Sequence, residues 1–450
     1  MEEGQPHNAF DDDEVGGERL PTLRCAIVGG GVHGVHLAAR LLDETSLDRR
    51  EIVILDPNDR LLASFRRKAY ACGMETLRST YVQHVGTEPF GLESFAKARG
   101  REDELRPTVD YPDRPSLDLF LDHADHVIET NGLDTLHRQS AVERVERRVG
   151  GGFRLKTSTG GVDTAACALA IGHGDRYELP SWAEGVEHAA HVWDGFDPDA
   201  TADHTVVVGG GITAVQLACT LSQDASVTMV SRHPLEWEVS EADPPWLNWN
   251  HVEREIHRYP RASKARLDAV RDARNSATVP PTRYDTLEER IDVGRLRIVE
   301  GDVTDATARG GGVALGLEDG EVIETDRVVC ATGFEPVHRH PFVESLAADL
   351  DLARGYRGLP VLRDATLAWE TVDGEALPLY VSGTLALATV GPYAPNLPGA
   401  KRAADRITSA IESVGPESLG RTARADRDGD YRRSTGRARP GQTNTFHRGQ

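Results

Sequence analysis

Two six-residue stretches, Gly29-Gly30-Gly31-Val32-His33-Gly34 and Gly209-Gly210-Gly211-Ile212-Thr213-Ala214, lie 180 residues apart. Their small residues stand where a backbone can wrap a phosphate. This spacing permits a tight turn, lets the main chain approach a pyrophosphate, and allows a helix to pack closely on a strand. Each stretch follows a short apolar run suited to a strand, Cys25-Ala26-Ile27-Val28 and Val206-Val207-Val208. Each opens a helical stretch, Val35 to Leu42 and Val215 to Leu221. The helix N-terminus supplies unpaired N–H groups and the positive end of a dipole to the phosphates. One such motif is a weak signal. Two in tandem, each in the right context, predict a protein that brings two dinucleotides together.

The strand that follows each motif indicates which dinucleotide. Glu51-Ile52-Val53-Ile54-Leu55-Asp56 ends in an acid 22 residues after Gly34. That is the distance of a carboxylate that accepts from ribose hydroxyls and repels a 2′-phosphate, which suits FAD or NAD. The plainer alternative is that Asp56 starts a turn before Pro57. Val227-Thr228-Met229-Val230-Ser231-Arg232 ends instead in a hydroxyl and a guanidinium. Both match the 2′-phosphate of NADP, the alternative being a solvent-facing arginine beside a turn. Gly29, Gly31, Gly34 and Asp56 are therefore expected to hold FAD. Gly209, Gly211, Ala214, Ser231 and Arg232 are expected to hold NADPH, with hydride passing from nicotinamide to flavin.

The elements around these motifs predict an α/β fold with two Rossmann-like units. At 450 residues the chain has room for two to three domains. Net charge is −21 and lysine is confined to Lys68, Lys97, Lys156, Lys264 and Lys401. Acid excess with so little lysine fits a salt-adapted cytosol, or a GC-rich genome that favours arginine codons. It argues against general nucleic-acid or anionic-membrane binding. The five cysteines, Cys25, Cys72, Cys167, Cys219 and Cys330, are scattered without a C-x-x-C. Neither a disulfide framework nor a zinc site is expected. Residues 1–21 carry Asp11-Asp12-Asp13-Glu14 without an apolar core, and read as a disordered leader rather than a signal peptide. The tail from about Pro416 holds eight arginines against four acids and also reads as disordered. With no 18-residue apolar run, no membrane span is expected and a cytoplasmic location follows. Oligomeric state is not legible here.

The order of motifs over roughly residues 23–412 resembles the class B flavin monooxygenases, and among them the ornithine/lysine-type N-hydroxylases. The Ala331-Thr332-Gly333 turn after Arg327-Val328-Val329-Cys330 is similar to the segment that leads from the NADPH domain back to the FAD domain. Leu169-Ala170-Ile171-Gly172 resembles the matching earlier crossing. The resemblance implies cofactor contacts at Thr332 and Gly333. It also implies a third FAD contact at Gly383 and Asn396, where a strand and a glycine turn lead into a helix from about Leu397 to Ile411. His191 and Trp193, or His188 and Trp193, resemble a histidine–aromatic pair whose role is more architectural than catalytic. Trp246, Asn248, Trp249 and Asn275 resemble an insertion lining a substrate pocket, with Asn275 holding the substrate backbone; the alternative is that Trp246 and Trp249 pack an interdomain surface.

The likeness departs near the flavin. Met74-Glu75 stands where relatives carry Met-Gln, and a following Lys-Asp-Leu has no counterpart. Gln83, His84 and Arg78 are left as flavin or substrate contacts, with His84 either an acid for a bound peroxide or, the simpler reading, a structural histidine. The resemblance implies an NADPH-using, FAD-dependent monooxygenase. It would oxygenate a small polar substrate, an amine or amino acid among the options, by molecular oxygen through a C4a-(hydro)peroxyflavin. The alternatives are a reductase of the same architecture and a non-catalytic dinucleotide-binding protein. The chain order implies an FAD domain split between 22–200 and 336–412, with an NADPH domain inserted at 201–335.

Overall fold

The computed structural model describes residues 23–108 and 111–413. The acidic leader and all of the arginine-rich tail beyond Ser413 lie outside the described residues. The fold is mixed α/β, built on two sheets of mainly parallel strands.

In the first sheet the order is Ala368–Glu370, Ala376–Val381, Gly160–Leu169, Leu23–Val28, Ile52–Asp56, His137–Gln139. All pairs are parallel except the outermost, Ala368–Glu370 with Ala376–Val381. Val142–Arg147 and Phe153–Thr157 extend it as an antiparallel meander onto Gly160–Leu169. In the second sheet Leu296–Glu300, Ser226–Ser231, His204–Val208, Arg327–Cys330 and Ala189–His191 are parallel throughout. A three-stranded antiparallel sheet, Val303–Arg309, Gly312–Leu317 and Val322–Thr325, stands beside it. The second sheet thus recruits its first strand, Ala189–His191, from before residue 201.

The strands are unbroken apolar runs because both faces of a parallel sheet are covered. Cys25 to Val28 and Ile52 to Leu55 are buried at every position. Helix Val32–Glu44 packs against the long C-terminal helix Leu397–Ser413. Among the described residues no helix is long and apolar enough to cross a membrane.

In each sheet the fingerprint strand lies between one strand that follows it in sequence and one that arrives much later. The chain therefore leaves it in opposite directions, and a crevice opens beyond the carboxyl ends. That is where ligands bind in open α/β sheets.

Candidate active site

The first turn is built by three close approaches. Gly29 N–H donates to Leu55 O at 2.8 Å and Ala170 N–H to Val28 O at 2.8 Å, which locks the turn to both neighbouring strands. Gly29 has φ +110°, and a Cβ there would strike the Ala170 carbonyl. A Cβ on Gly34 would strike the Gly29 carbonyl oxygen, so that position holds helix and turn together. A Cβ on Gly31 would meet no protein atom within 4 Å, because Gly31 faces the crevice. The helix that begins here has no side-chain cap, whereas Ser116 and Ser263 cap other helices of the chain. Its first amides are left for a ligand.

The second turn repeats the arrangement. Gly209 N–H donates to Val230 O at 2.9 Å and Ala331 N–H to Val208 O at 2.8 Å. Gly209 has φ +147° and its Cβ would approach the Ala331 carbonyl at 2.6 Å. Ala214 is fully buried against Gly209, filling the role of the third glycine. Helix Ile212–Leu221 also lacks a side-chain cap.

Both turns open onto one continuous cleft of about 1330 Å³, lined by Gly29, Gly31, Asp56, Gly209, Gly211 and Arg232 among others. That exceeds the roughly 300–1,000 Å³ of ordinary small-molecule pockets. At the first strand end, Asp56 Oδ2 accepts from Gly30 N–H at 2.6 Å and Oδ1 accepts from Asn58 N–H at 2.9 Å. A carboxylate has about four acceptor sites, so Asp56 keeps capacity for a ribose hydroxyl. At the second strand end the two residues part. Ser231 turns inward, 5% exposed, and donates to His233 O at 2.7 Å. A Cβ on Gly210 would strike its oxygen, so Ser231 shapes the turn at the edge of the cleft that it also lines. Arg232 stays exposed on the cleft, with no hydrogen bond or ion pair among the described residues.

Thr332 and Gly333 line the cleft between the two turns. Thr332 Oγ1 donates to Glu178 O, and Glu178 N–H donates to Gly333 O at 3.1 Å, tying the two crossings together. Asn396 also lines the cleft, at the start of helix Leu397–Ser413. Its Nδ2 donates to Glu241 Oε1 at 3.0 Å and its Oδ1 accepts from Arg274 at 3.3 Å. Asn275 sits alongside, Nδ2 donating to Ser240 O at 3.0 Å, with its side-chain carbonyl free of any hydrogen bond among the described residues. Arg78 lines the same region, held by Thr278 and by the carbonyls of Glu238 and Ser240.

Four expectations are corrected. His84 is 1% exposed and does not line the cleft. It stacks edge-on against His123 at 5.0 Å, and burial, with Lys401 adding to it, lowers its pKa to about 3. Gln83 lies in the same segment and does not line the cleft either. The cause is tertiary: Lys401 donates to Val82 O at 2.7 Å and His36 Nδ1 pairs with Val85 O at 2.9 Å. These bonds pull residues 82–85 onto the helices Val32–Glu44 and Leu397–Ser413. Gly383 is buried beside the His33 ring and does not itself reach the cleft. Trp246 and Trp249 do not line it either. The Arg406 guanidinium lies over the Trp249 ring, while the Trp246 ring stacks edge-on against His251 at 4.5 Å and its backbone carbonyl accepts from Arg402.

One histidine that the sequence reading missed is His173. It lines the cleft, stacked on Phe334 at 3.9 Å, with Nε2 paired to Thr384 Oγ1 at 3.2 Å. Burial holds its pKa down to about 4, so it is neutral near pH 7. Phe334 stacks in turn on Trp193 at 4.7 Å, and Tyr177 on His191 at 4.9 Å. His191 and Trp193 therefore belong to an aromatic joint between the crossings, while His188 stays outside these stacks.

A family model described as pyridine nucleotide-disulphide oxidoreductase matches residues 26–267, more than half of the chain. The chain belongs to this family. The disulphide of the family name has no counterpart in this oxidoreductase: all five cysteines are buried free thiols and none lines the cleft. Among solved structures, ornithine hydroxylase from Pseudomonas aeruginosa in its reduced form is 19% identical with a TM-score of 0.67, covering 87% of this chain and 99% of that one. L-lysine 6-monooxygenase from Pseudomonas syringae is 19% identical with a TM-score of 0.68 over the same shares. An FAD-bound cadaverine monooxygenase of desferrioxamine biosynthesis from Erwinia amylovora is 16% identical with a TM-score of 0.66, covering 88% and 95%. At these identities the likeness is one of fold. No curated relative matches the sequence significantly.

Proposed function

We propose that this oxidoreductase is an NADPH-dependent FAD monooxygenase acting on a small polar substrate. The observation that carries the reading is the single cleft onto which both glycine turns open. In this reading the first sheet and the C-terminal helix hold FAD, and the second sheet, as an inserted domain, holds NADPH. The glycines fit the groups: Gly31 offers an open cradle, and two uncapped helices face the crevice. The solved structures of similar fold include an ornithine hydroxylase, a lysine monooxygenase and an FAD-bound cadaverine monooxygenase, which supports the assignment.

The flavin supplies hydride acceptance and oxygen activation when bound. The chain's residues bind, orient and shield. Asp56 takes a ribose hydroxyl at the first site, and Arg232 takes the 2′-phosphate at the second. His173, neutral and stacked on Phe334, offers a hydrogen-bonding edge to the reacting region without placing a charge there. Arg78, Arg274, Asn275 and Asn396 form the polar wall where the small substrate sits. A few directed polar groups in a larger cleft set orientation in such sites. Reduction through the chain's own thiols is not supported, since no cysteine reaches the cleft.

The test is anaerobic titration of the FAD-loaded protein with NADPH, followed by air and measurement of hydrogen peroxide. Bleaching of the flavin is expected, with peroxide release falling when a true substrate is present. Flavin that stays oxidised under excess NADPH overturns the enzyme reading. Peroxide release that no small amine, amino acid or other polar nucleophile suppresses favours a reductase or oxidase.

Two further results follow. Arg232→Ala should raise the KM for NADPH about tenfold or more and leave that for NADH unchanged, since hydrogen bonds to a charged group contribute about 1.5–3 kcal/mol. Steady-state kinetics with both nucleotides checks this, and equal effects on both sink the assignment. Asn275→Ala should raise the substrate KM about tenfold through loss of its free carbonyl, without changing the rate of flavin reduction by NADPH.

A further inference from the structure

We propose that His33 is a direct ligand of the dinucleotide on the first turn, donating from Nε2 to one of its acceptor oxygens. This rests on the reading that the first turn holds FAD. The glycine spacing makes no demand on position 33, so the imidazole is a feature of this chain.

His33 is the second residue of the 13-residue helix Val32–Glu44, which no side chain caps. It is 9% exposed and lines the cleft. Its Nδ1 is paired with Ser382 Oγ at 2.8 Å. Its Nε2 is buried without a hydrogen-bond partner among the described residues. The backbone carbonyl of Pro395 is near the ring and interacts with it weakly, without a well-formed hydrogen bond to Nε2. Several histidines of the described residues carry such an orphaned nitrogen, among them His36, His84 and His123, and His33 alone of them faces the cleft. A buried unmet N–H is costly, and a polar ligand arriving in the cleft removes that cost.

The tautomer follows from the surroundings. At an uncapped helix N-terminus the ligand is anionic and rich in acceptors. The Ser382 hydroxyl then donates to Nδ1 and leaves the ring proton on Nε2. Burial lowers the pKa to about 4, so the ring is a neutral donor throughout the neutral range. Gly383, at φ +78°, passes beside the ring, so that a Cβ there would stand 3.9 Å from it.

The experiment measures FAD release from the purified full-length holoprotein by free-flavin fluorescence, with Tm recorded in parallel. His33→Gln keeps an N–H donor on a side chain of similar length, and His33→Met is nearly isosteric with glutamine but has none. The methionine variant is expected to bind FAD about tenfold or more weakly than wild type, with glutamine recovering most of that loss. ADP competition separates the two sources of acceptor. If ADP loses affinity in parallel with FAD, the acceptor is a pyrophosphate oxygen. If ADP is unaffected, it lies on the ribityl or flavin half. Methionine and glutamine variants that bind FAD equally, at equal Tm, overturn the inference. A wild-type protein that does not bind FAD overturns the flavoprotein reading instead.

Discussion

Gly34→Ala is expected to remove FAD binding and lower the Tm, while Gly31→Ala removes FAD binding alone. A Cβ at position 34 would collide with the Gly29 carbonyl oxygen, which is backbone and cannot swing away. Helix Val32–Glu44 must then lift from the turn, losing the buried contacts of Val35, Leu37 and Leu41 with the core around it. Overpacking of this kind costs about 1–3 kcal/mol, and more where only backbone can move. At position 31 the same methyl meets empty space in the protein and projects where the phosphates are to lie. Flavin content by absorbance and Tm by calorimetry distinguish the two. Full flavin occupancy in Gly31→Ala would falsify the placement of the dinucleotide on this turn.

Asp364→Ala is expected to destabilise the protein by about 3 kcal/mol without touching the cleft. Arg266 is 1% exposed, and its guanidinium forms a bidentate pair with Asp364 at 2.6 and 2.9 Å. The pair ties helix Lys264–Ala273, part of the segment that carries Arg274 and Asn275, to the chain leading into the edge strand Ala368–Glu370. Removing the carboxylate leaves a buried guanidinium that, among the described residues, keeps the Tyr259 carbonyl at 3.1 Å as its one other partner. The value sits at the lower end of the range for broken buried pairs because the Asp364 side chain is about one-third exposed, 31%. The double variant Arg266→Met, Asp364→Ala should recover part of the loss, since it removes the stranded charge. Urea denaturation reads both. A single variant within 1 kcal/mol of wild type means that the guanidinium finds water instead.

How much of the site was legible in the sequence depended on how local the determinant was. The turns were legible because a glycine's freedom, a strand's apolar run and a helix start are all settled within ten residues. Their positions against Ala170 and Ala331 followed the expected crossings, although no sequence rule places those carbonyls beside Gly29 and Gly209. Asn275, Asn396 and Arg78 stand on the cleft too, but remote partners hold them there: Arg78 by Thr278 and Ser240, Asn396 by Glu241 and Arg274. His84 and Gln83 were misread because their surroundings are made by Lys401 and His36, both distant in sequence. Trp246 and Trp249 read as pocket aromatics, yet His251 stacks against the first and Arg406 on the final helix lies over the second. His173 went unnoticed because a lone histidine after a glycine turn carries no signal until Phe334 is stacked upon it.

The sequence by itself determined that two glycine turns follow two buried strands, that one strand ends in an acid and the other in an arginine, and that no cysteine pair is present. These are properties of backbone conformation and residue chemistry over short spans. The tertiary structure decided that the two turns share one cleft and that Ser231 turns inward while Arg232 stays free. It also decided that His33 and His173, rather than His84, present imidazoles there. Those outcomes depend on contacts such as Ser382 with His33 and Lys401 with Val82, in which residues some three hundred or more positions apart settle where a side chain points.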